Sequence, residues 1–210
     1  ASVHRSRVAF DQAGWESEVI VCDNNSTGGT GAIAEANGAR VVFEPVNMIA
    51  RARNAGASVA TGDWLLFIDA DSHPSPELFA AMIRAISSGR VIGGGSTVVM
   101  DSAILPARIG AHIWNTISRV KRVMAGSFIF VEASAFREIG GFSGKFYAAE
   151  EIDFTRRLKP VARRLRKKIV ILSGTPLVTS SRKFRLYTPG ELIRLLLNSV
   201  FRPKSTLTNK

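Results

Sequence analysis

The chain has 210 residues, of which 46% are hydrophobic and 21% charged, enough apolar material for one ordinary core and too much for a disordered chain. A net charge of +11, from 28 Lys and Arg against 17 Asp and Glu, calls for an anionic partner: nucleic acid, anionic lipid or a phosphorylated small molecule. One cysteine, Cys22, excludes an internal disulfide framework, and the residues given show neither a signal-peptide pattern nor a run of about 18 apolar residues, so neither a leader nor a membrane span is expected within them.

In chain order, residues 2–12 read as helix where an α/β domain should open on a buried strand, so a first strand is expected to be missing. Cys22 lies in an apolar run and reads as a core thiol, in keeping with a reducing, cytoplasmic setting. Short apolar runs predict strands over 18–22, 40–43, 64–68, 91–100, 127–131 and 169–172. Amphipathic stretches predict helices over 31–37, 49–60, 76–87, 105–120, 133–139, 152–166 and 190–200. Pro74 and Pro76 fit a loop entering a first helical turn, and Gly38 and Gly140-Gly141 punctuate helix ends. The alternation predicts an α/β domain over 1–180, a mostly parallel central sheet flanked by helices, with a basic helical appendage over 181–210.

Two stretches carry chemistry. In Val19-Ile20-Val21-Cys22-Asp23-Asn24-Asn25-Ser26-Thr27-Gly28-Gly29-Thr30, a strand ends in a carboxylate and a glycine-bearing loop leads into a helix. Ligands of open α/β sheets bind beyond the carboxyl ends of strands, so Asp23 is placed to meet a base or ribose, with loop amides toward phosphate. Equally, every residue type here favours a turn and a helix cap. In Trp64-Leu65-Leu66-Phe67-Ile68-Asp69-Ala70-Asp71, a central apolar strand delivers two carboxylates that face one ligand if the chain stays extended. Hard cations favour few carboxylates plus phosphate oxygens, so a diphosphate with Mg²⁺ or Mn²⁺ fits. His73 follows closely and reads as a plain loop histidine.

These motifs, with Arg53-Asn54-Ala55-Gly56 between them and Gly62-Asp63-Trp64-Leu65 before the second, resemble the family-two glycosyltransferases. Further on, Gly140-Gly141-Phe142 and Glu150-Glu151-Ile152-Asp153-Phe154-Thr155-Arg156-Arg157-Leu158 are similar to that family's G-G-F and E-D-x-D segments. The resemblance implies a GT-A, Rossmann-like fold and inverting transfer of a sugar from a nucleoside diphosphate sugar to a hydroxyl. It implies cation binding by Asp71 with help from Asp69, donor contacts from Asp23, Asn25, Ser26, Arg53, Asn54 and Asp69, and a general base at Glu151, or at Glu150. Glu151 stands where the family usually has Asp, and Gly28 or Gly29 where it has an acid. Arg157 is a candidate for the diphosphate, which a guanidinium fork matches.

A haloacid-dehalogenase phosphatase also ends a strand in D-x-D, but nearer its N-terminus and with Thr or Val in place of His73. A sugar-1-phosphate nucleotidyltransferase shares the general fold. A nucleic-acid-binding domain would explain the charge, yet the basic residues lack interleaved aromatics, so no nucleic acid is expected. The excess charge sits late, in residues 156–168 and 182–204 beside an apolar helix, which predicts peripheral docking on the inner face of an anionic membrane and a lipid-linked or membrane-proximal acceptor.

Overall fold

The computed structural model describes residues 2–101, 105–145 and 150–180. The helix expected over 190–200 and the basic appendage lie outside them.

The chain opens with two short helices, α1 (Ser2–Ser6) and α2 (Val8–Gln12), rather than one. They part at Arg7, whose guanidinium donates to Ser17 Oγ (2.9 Å) and Ser17 O (2.7 Å), beside a buried Ser6 hydroxyl donating to Pro74 O (3.0 Å). Then β1 (Ile20–Asp23), α3 (Thr30–Ala36) and β2 (Arg40–Phe43) form a parallel pair with its crossover helix. After α4 (Ile49–Val59) come β3 (Trp64–Ile68), the two-residue β4 (Ser72–His73), α5 (Pro76–Ser87) and β5 (Val91–Met100). The chain continues through α6 (Leu105–Lys121), β6 (Phe128–Glu132), α7 (Ala133–Glu138), α8 (Glu150–Arg164) and β7 (Lys168–Thr179).

The second sheet has five strands in the order β3-β6-β5-β7-β4. The expected mostly parallel pairing is corrected here: β6 runs antiparallel to both β3 and β5, β4 runs antiparallel to β7, and only β5 and β7 pair in parallel. The β5–α6–β6 connection returns without a full crossover, which period-two or period-3.6 patterns alone do not reveal. Within this sheet β3 has one hydrogen-bonded neighbour, β6, and its Trp64, Leu66, Phe67 and Ile68 are only half-buried.

Alternation along β6 divides the core. Ile129 and Val131 face α7 and α8, packing with Phe136, Phe154 and Leu158, while Phe128 and Phe130 face α5, packing with Leu78, Phe79 and Met82. Three successive glycines in β5 allow this. A Cβ on Gly93 would meet Phe130 O at 2.8 Å, and one on Gly94 would meet Phe130 Cζ at 2.6 Å. α5 forms where expected because Ser75 caps it, accepting from Leu78 N at 3.2 Å, and Pro76 opens its first turn. β7 runs well past 172. Ser96 pairs with Leu172 and Val98 with Leu177, so the Ser173-Gly174-Thr175-Pro176 turn signal bulges out while ten-residue β5 keeps offering a partner. Among the described residues no helix is long and apolar enough to cross a membrane.

Candidate active site

β3 ends at Ile68, and the Asp69 amide still reaches Ser127 O at 3.3 Å, one residue past the strand. The chain then turns, with Ser72 N donating to Asp69 O at 3.0 Å. Asp69 and Asp71 are therefore on a turn rather than the extended segment expected. The turn is held from the far side by β7: Ser180 N donates to Asp71 O (3.3 Å), and the buried Ser72 hydroxyl donates to Thr179 Oγ1 (3.2 Å). His73 is a strand residue paired with Val178 and exposed, so the expected loop histidine is corrected.

Arg53 organises the site. Projecting from α4, it donates through Nη1 to Glu150 Oε1 (2.8 Å) and through Nη2 to Asp69 Oδ1 (2.9 Å) and Gly126 O (2.7 Å). Its guanidinium lies 5.1 Å from the centre of the Phe142 ring, and its side chain is only 9% exposed. A cation so far out of water is stable because it meets two carboxylates and a carbonyl at once. One side chain thus ties together the strand end that carries Asp69, the loop before β6 and the first turn of α8.

Glu150 and Glu151 differ through this contact. Glu150, with 6% of its side chain exposed, is neutralised by Arg53. The Glu151 carboxyl is pushed up to about 7, first by loss of water and then by the Glu150 charge, with Arg53 pulling it back and Asp69 adding to the rise. Thr155 fixes the turn that carries it, donating to Glu151 O (2.8 Å) and accepting from Met124 N (3.3 Å). Above the carboxyl lies Gly126. A Cβ there would come within 3.6 Å of Glu151 Cδ and 3.5 Å of Arg53 Nη2, so the glycine leaves room beside the base-like group.

Asn54 is adjacent in sequence but does other work. Its amide donates to Phe142 O (2.8 Å) and accepts from Phe142 N (2.9 Å), fastening the Gly141-Phe142 corner to α4. Gly141 has φ +67°, and a Cβ on it would lie 2.6 Å from Asn54 Oδ1. Both ends of the amide thus engage the Phe142 backbone, so Asn54 positions the Gly141-Phe142 corner. Arg157, expected at the diphosphate, is likewise held by protein groups, while its buried Nη2 has no partner among the described residues. It donates to Asp153 Oδ2 (2.7 Å) and Ile139 O (2.6 Å), tying α8 to the end of α7.

The loop after β1 is a second cluster. Asp23 Oδ1 accepts from Ser26 N (2.9 Å) and the Ser26 hydroxyl (2.6 Å), contacts that, with the Gly31 amide, hold its carboxyl below the usual range. Asn25 is exposed with φ +59°. Sequence reasoning passed over Asn24, which donates to Glu44 O (2.9 Å) and Val46 O (2.6 Å) and accepts from Met48 N (3.0 Å). Only the amide's two-way bonding in a loop of turn formers marked it. Cys22 is half-buried on β1 instead of lying in the core, and burial with the nearby Glu44 and Asp23 charges raises its thiol.

The family model described as glycosyl transferase family 2 matches residues 9–139, more than half of the chain. The chain belongs to glycosyl transferase family 2. Two uncharacterized glycosyltransferases match shorter stretches. That of Rickettsia conorii is 46% identical over 61 residues, 29% of this chain and 22% of the relative. That of Rickettsia typhi is 43% identical over 61 residues, 29% and 21%. These matches therefore span about a fifth of the curated relatives' length.

Solved glycosyltransferase structures are similar at low identity. Glucosyl-3-phosphoglycerate synthase from Mycobacterium tuberculosis, in complex with Mn²⁺, UDP-Glc and phosphoglyceric acid, superposes with TM-score 0.62 at 20% identity, covering 98% of this chain and 77% of that one. S. aureus TarS in complex with UDP-GlcNAc gives 0.60 at 18%, covering 88% and 58%. A mannosyltransferase from Pyrobaculum calidifontis, with GDP-Man and Mn²⁺, gives 0.59 at 17%, covering 77% and 47%. The likeness establishes the GT-A fold.

Proposed function

We propose that this chain transfers a sugar from a nucleoside diphosphate sugar to an acceptor hydroxyl, with inversion and with a divalent cation. The observation that carries the reading is the division of labour between Glu150 and Glu151. Arg53 consumes one charge, and the neighbouring carboxyl, at about 7, is matched to taking a proton near neutral pH. As the acceptor oxygen bonds to the anomeric carbon, its proton passes to the Glu151 carboxylate and the bond to the diphosphate breaks. Glu150, its charge committed to the buried pair with Arg53, is the less suited of the two.

For the cation, Asp71 is half-buried and its carboxylate makes no hydrogen bond or ion pair among the described residues, while Asp69 is shared with Arg53. No group of three His, Cys, Asp or Glu that could hold a metal occurs among the described residues. Two carboxylates suit Mg²⁺ or Mn²⁺, which take their remaining oxygens from diphosphate and water. A bound cation would neutralise charge on the departing diphosphate. Asp23, with Asn25 and Ser26, stands at the end of β1 where the nucleoside would lie, and the M. tuberculosis and P. calidifontis proteins named above hold such donors with Mn²⁺.

The reading extends to a membrane-proximal or lipid-linked acceptor, for which the support is the late basic charge. Within the described part of that run, Arg157, Arg164 and Lys167 are paired with Asp153, Glu138 and Glu132, while Arg156, Arg163 and Lys168 are exposed.

The deciding assay incubates the chain with UDP- and GDP-sugars, Mn²⁺ and a panel of hydroxyl acceptors. Release of nucleoside diphosphate that requires acceptor supports transfer. Pyrophosphate-dependent formation of nucleoside triphosphate would instead identify a nucleotidyltransferase.

A further inference from the structure

Helix α6 turns an apolar stripe toward solvent. At about 100° per residue, Ile109, Ile113, Thr116 and Val120 fall within an arc of roughly 60°. The three aliphatic residues are 52%, 46% and 78% exposed. The opposite face is the packed one. Ala111 and Ser118 are buried, and the Asn115 amide binds both backbone groups of Val98, accepting from its N (2.9 Å) and donating to its O (2.8 Å). The stripe is therefore left over after α6 has docked on β5.

Its rim is basic. Arg108 and Arg119 flank it, and Lys121 and Arg122 follow the last turn, all exposed. α8 brings Lys159 alongside, its Nζ donating to Lys121 O at 2.9 Å, with exposed Arg163 one turn further on. Burial and then the charges of Arg163, Lys121 and Arg122 lower the proton affinity of Lys159, as like charges crowded on one surface must. Four of the five acids that follow α6 among the described residues are paired elsewhere, Glu132 with Lys167, Glu138 with Arg164, Glu150 with Arg53 and Asp153 with Arg157, and the fifth, Glu151, lies beside Gly126 in the site.

Three candidate occupants would meet this surface differently. A nucleic acid would use the cations but not aliphatic side chains without aromatic neighbours. A second copy, meeting the same patch across a two-fold axis, would oppose these cations with themselves. A bilayer with acidic headgroups is anionic where the rim lies and apolar where the stripe would enter. We propose that the outward face of α6, with Lys159 and Arg163 of α8, is a docking surface for an anionic lipid bilayer. The proposal stands on the surface alone and does not need sugar transfer, although it would give the membrane-proximal reading a named contact.

The test is flotation of the full chain with vesicles of phosphatidylglycerol in phosphatidylcholine, beside vesicles of phosphatidylcholine alone. The expected result is binding to the anionic vesicles at low salt and release at about 0.5 M salt, where the Debye length falls to a few Å. Ile113→Glu with Val120→Glu changes only exposed positions and should lower vesicle affinity tenfold or more. The melting temperature and the nucleotide-dependent thermal shift should remain as in wild type. Absence of wild-type flotation at low salt overturns the proposal. So does a double variant that floats like wild type, which would move binding to residues 181–210 and leave the membrane-proximal reading standing. A wild-type dimer that the double variant converts to monomer, with no vesicle binding by either, would assign the stripe to a second copy and likewise overturn it.

Discussion

Glu151→Gln should inactivate the protein and stabilise it, in a pH-dependent way. Below about pH 4.5 the carboxyl is protonated in both the folded and unfolded chain and costs nothing. Between 4.5 and about 7 the unfolded chain releases the proton while the folded one keeps it, so stability falls as pH rises; above about 7 the cost is complete. Moving the group from 4.5 to about 7, at ~1.4 kcal/mol per pH unit, sets that cost at no more than about 3–4 kcal/mol. Glutamine keeps the shape but still buries a polar amide, leaving a net gain of roughly 1–2 kcal/mol, or ~3–6 °C in melting temperature for a chain of this size. The assay is thermal unfolding of both proteins from pH 5 to pH 8, with donor binding and transfer followed in parallel. The variant should gain stability at pH 8 and little at pH 5, bind donor, and fail to transfer, while wild-type transfer should rise with pH through about 7. Identical pH-dependence of melting in the two proteins, or transfer by the variant, would refute the assignment.

Two further substitutions separate chemistry from scaffold. Gly126→Ala should fold normally, since its Cβ meets neighbours at ordinary contact distances of 3.5 Å or more, yet it fills the space beside Glu151. A loss in kcat/KM for acceptor on the order of 10²-fold, at unchanged melting temperature, is expected from a misplacement of about 1 Å. Asn54→Ala should cost about 1–3 kcal/mol in a denaturant melt, because it leaves the Phe142 backbone unpaired. Its nucleotide affinity should stay at the wild-type value if Asn54 positions the Gly141-Phe142 corner and does not touch the donor.

The ends of β2, β3, β5 and α5 were legible in the sequence because each element's hydrophobic pattern stops at polar, capping or turn residues, as Ser75-Pro76 does for α5. Strand direction was not legible. Nothing in the pattern of 127–131 separates an antiparallel β6 from a parallel one, since both bury alternating faces. The site followed the same division. Asp69 could be picked by its position and Arg53, Glu150 and Glu151 by the family resemblance, but their roles depend on a salt bridge between residues 53 and 150 that no local pattern encodes. The roles of Asn54 and Arg157 were not legible because an amide or guanidinium that would suit a ligand suits a backbone carbonyl equally well. Asp23 keeps both readings: its Ser26 bonds are those of a turn, and its half-buried carboxylate still stands at a strand end.

Metal-dependent donor binding is tested most directly by titrating UDP and GDP into the chain with and without Mn²⁺, for wild type and Asp71→Ala. Wild type should bind one nucleoside diphosphate markedly more tightly with Mn²⁺, tenfold or more for each ~1.4 kcal/mol of cation-mediated contact. Asp71→Ala should retain its fold and lose the Mn²⁺ enhancement. Binding indifferent to Mn²⁺ in wild type, or a full Mn²⁺ enhancement in the variant, would contradict the site proposed at the end of β3.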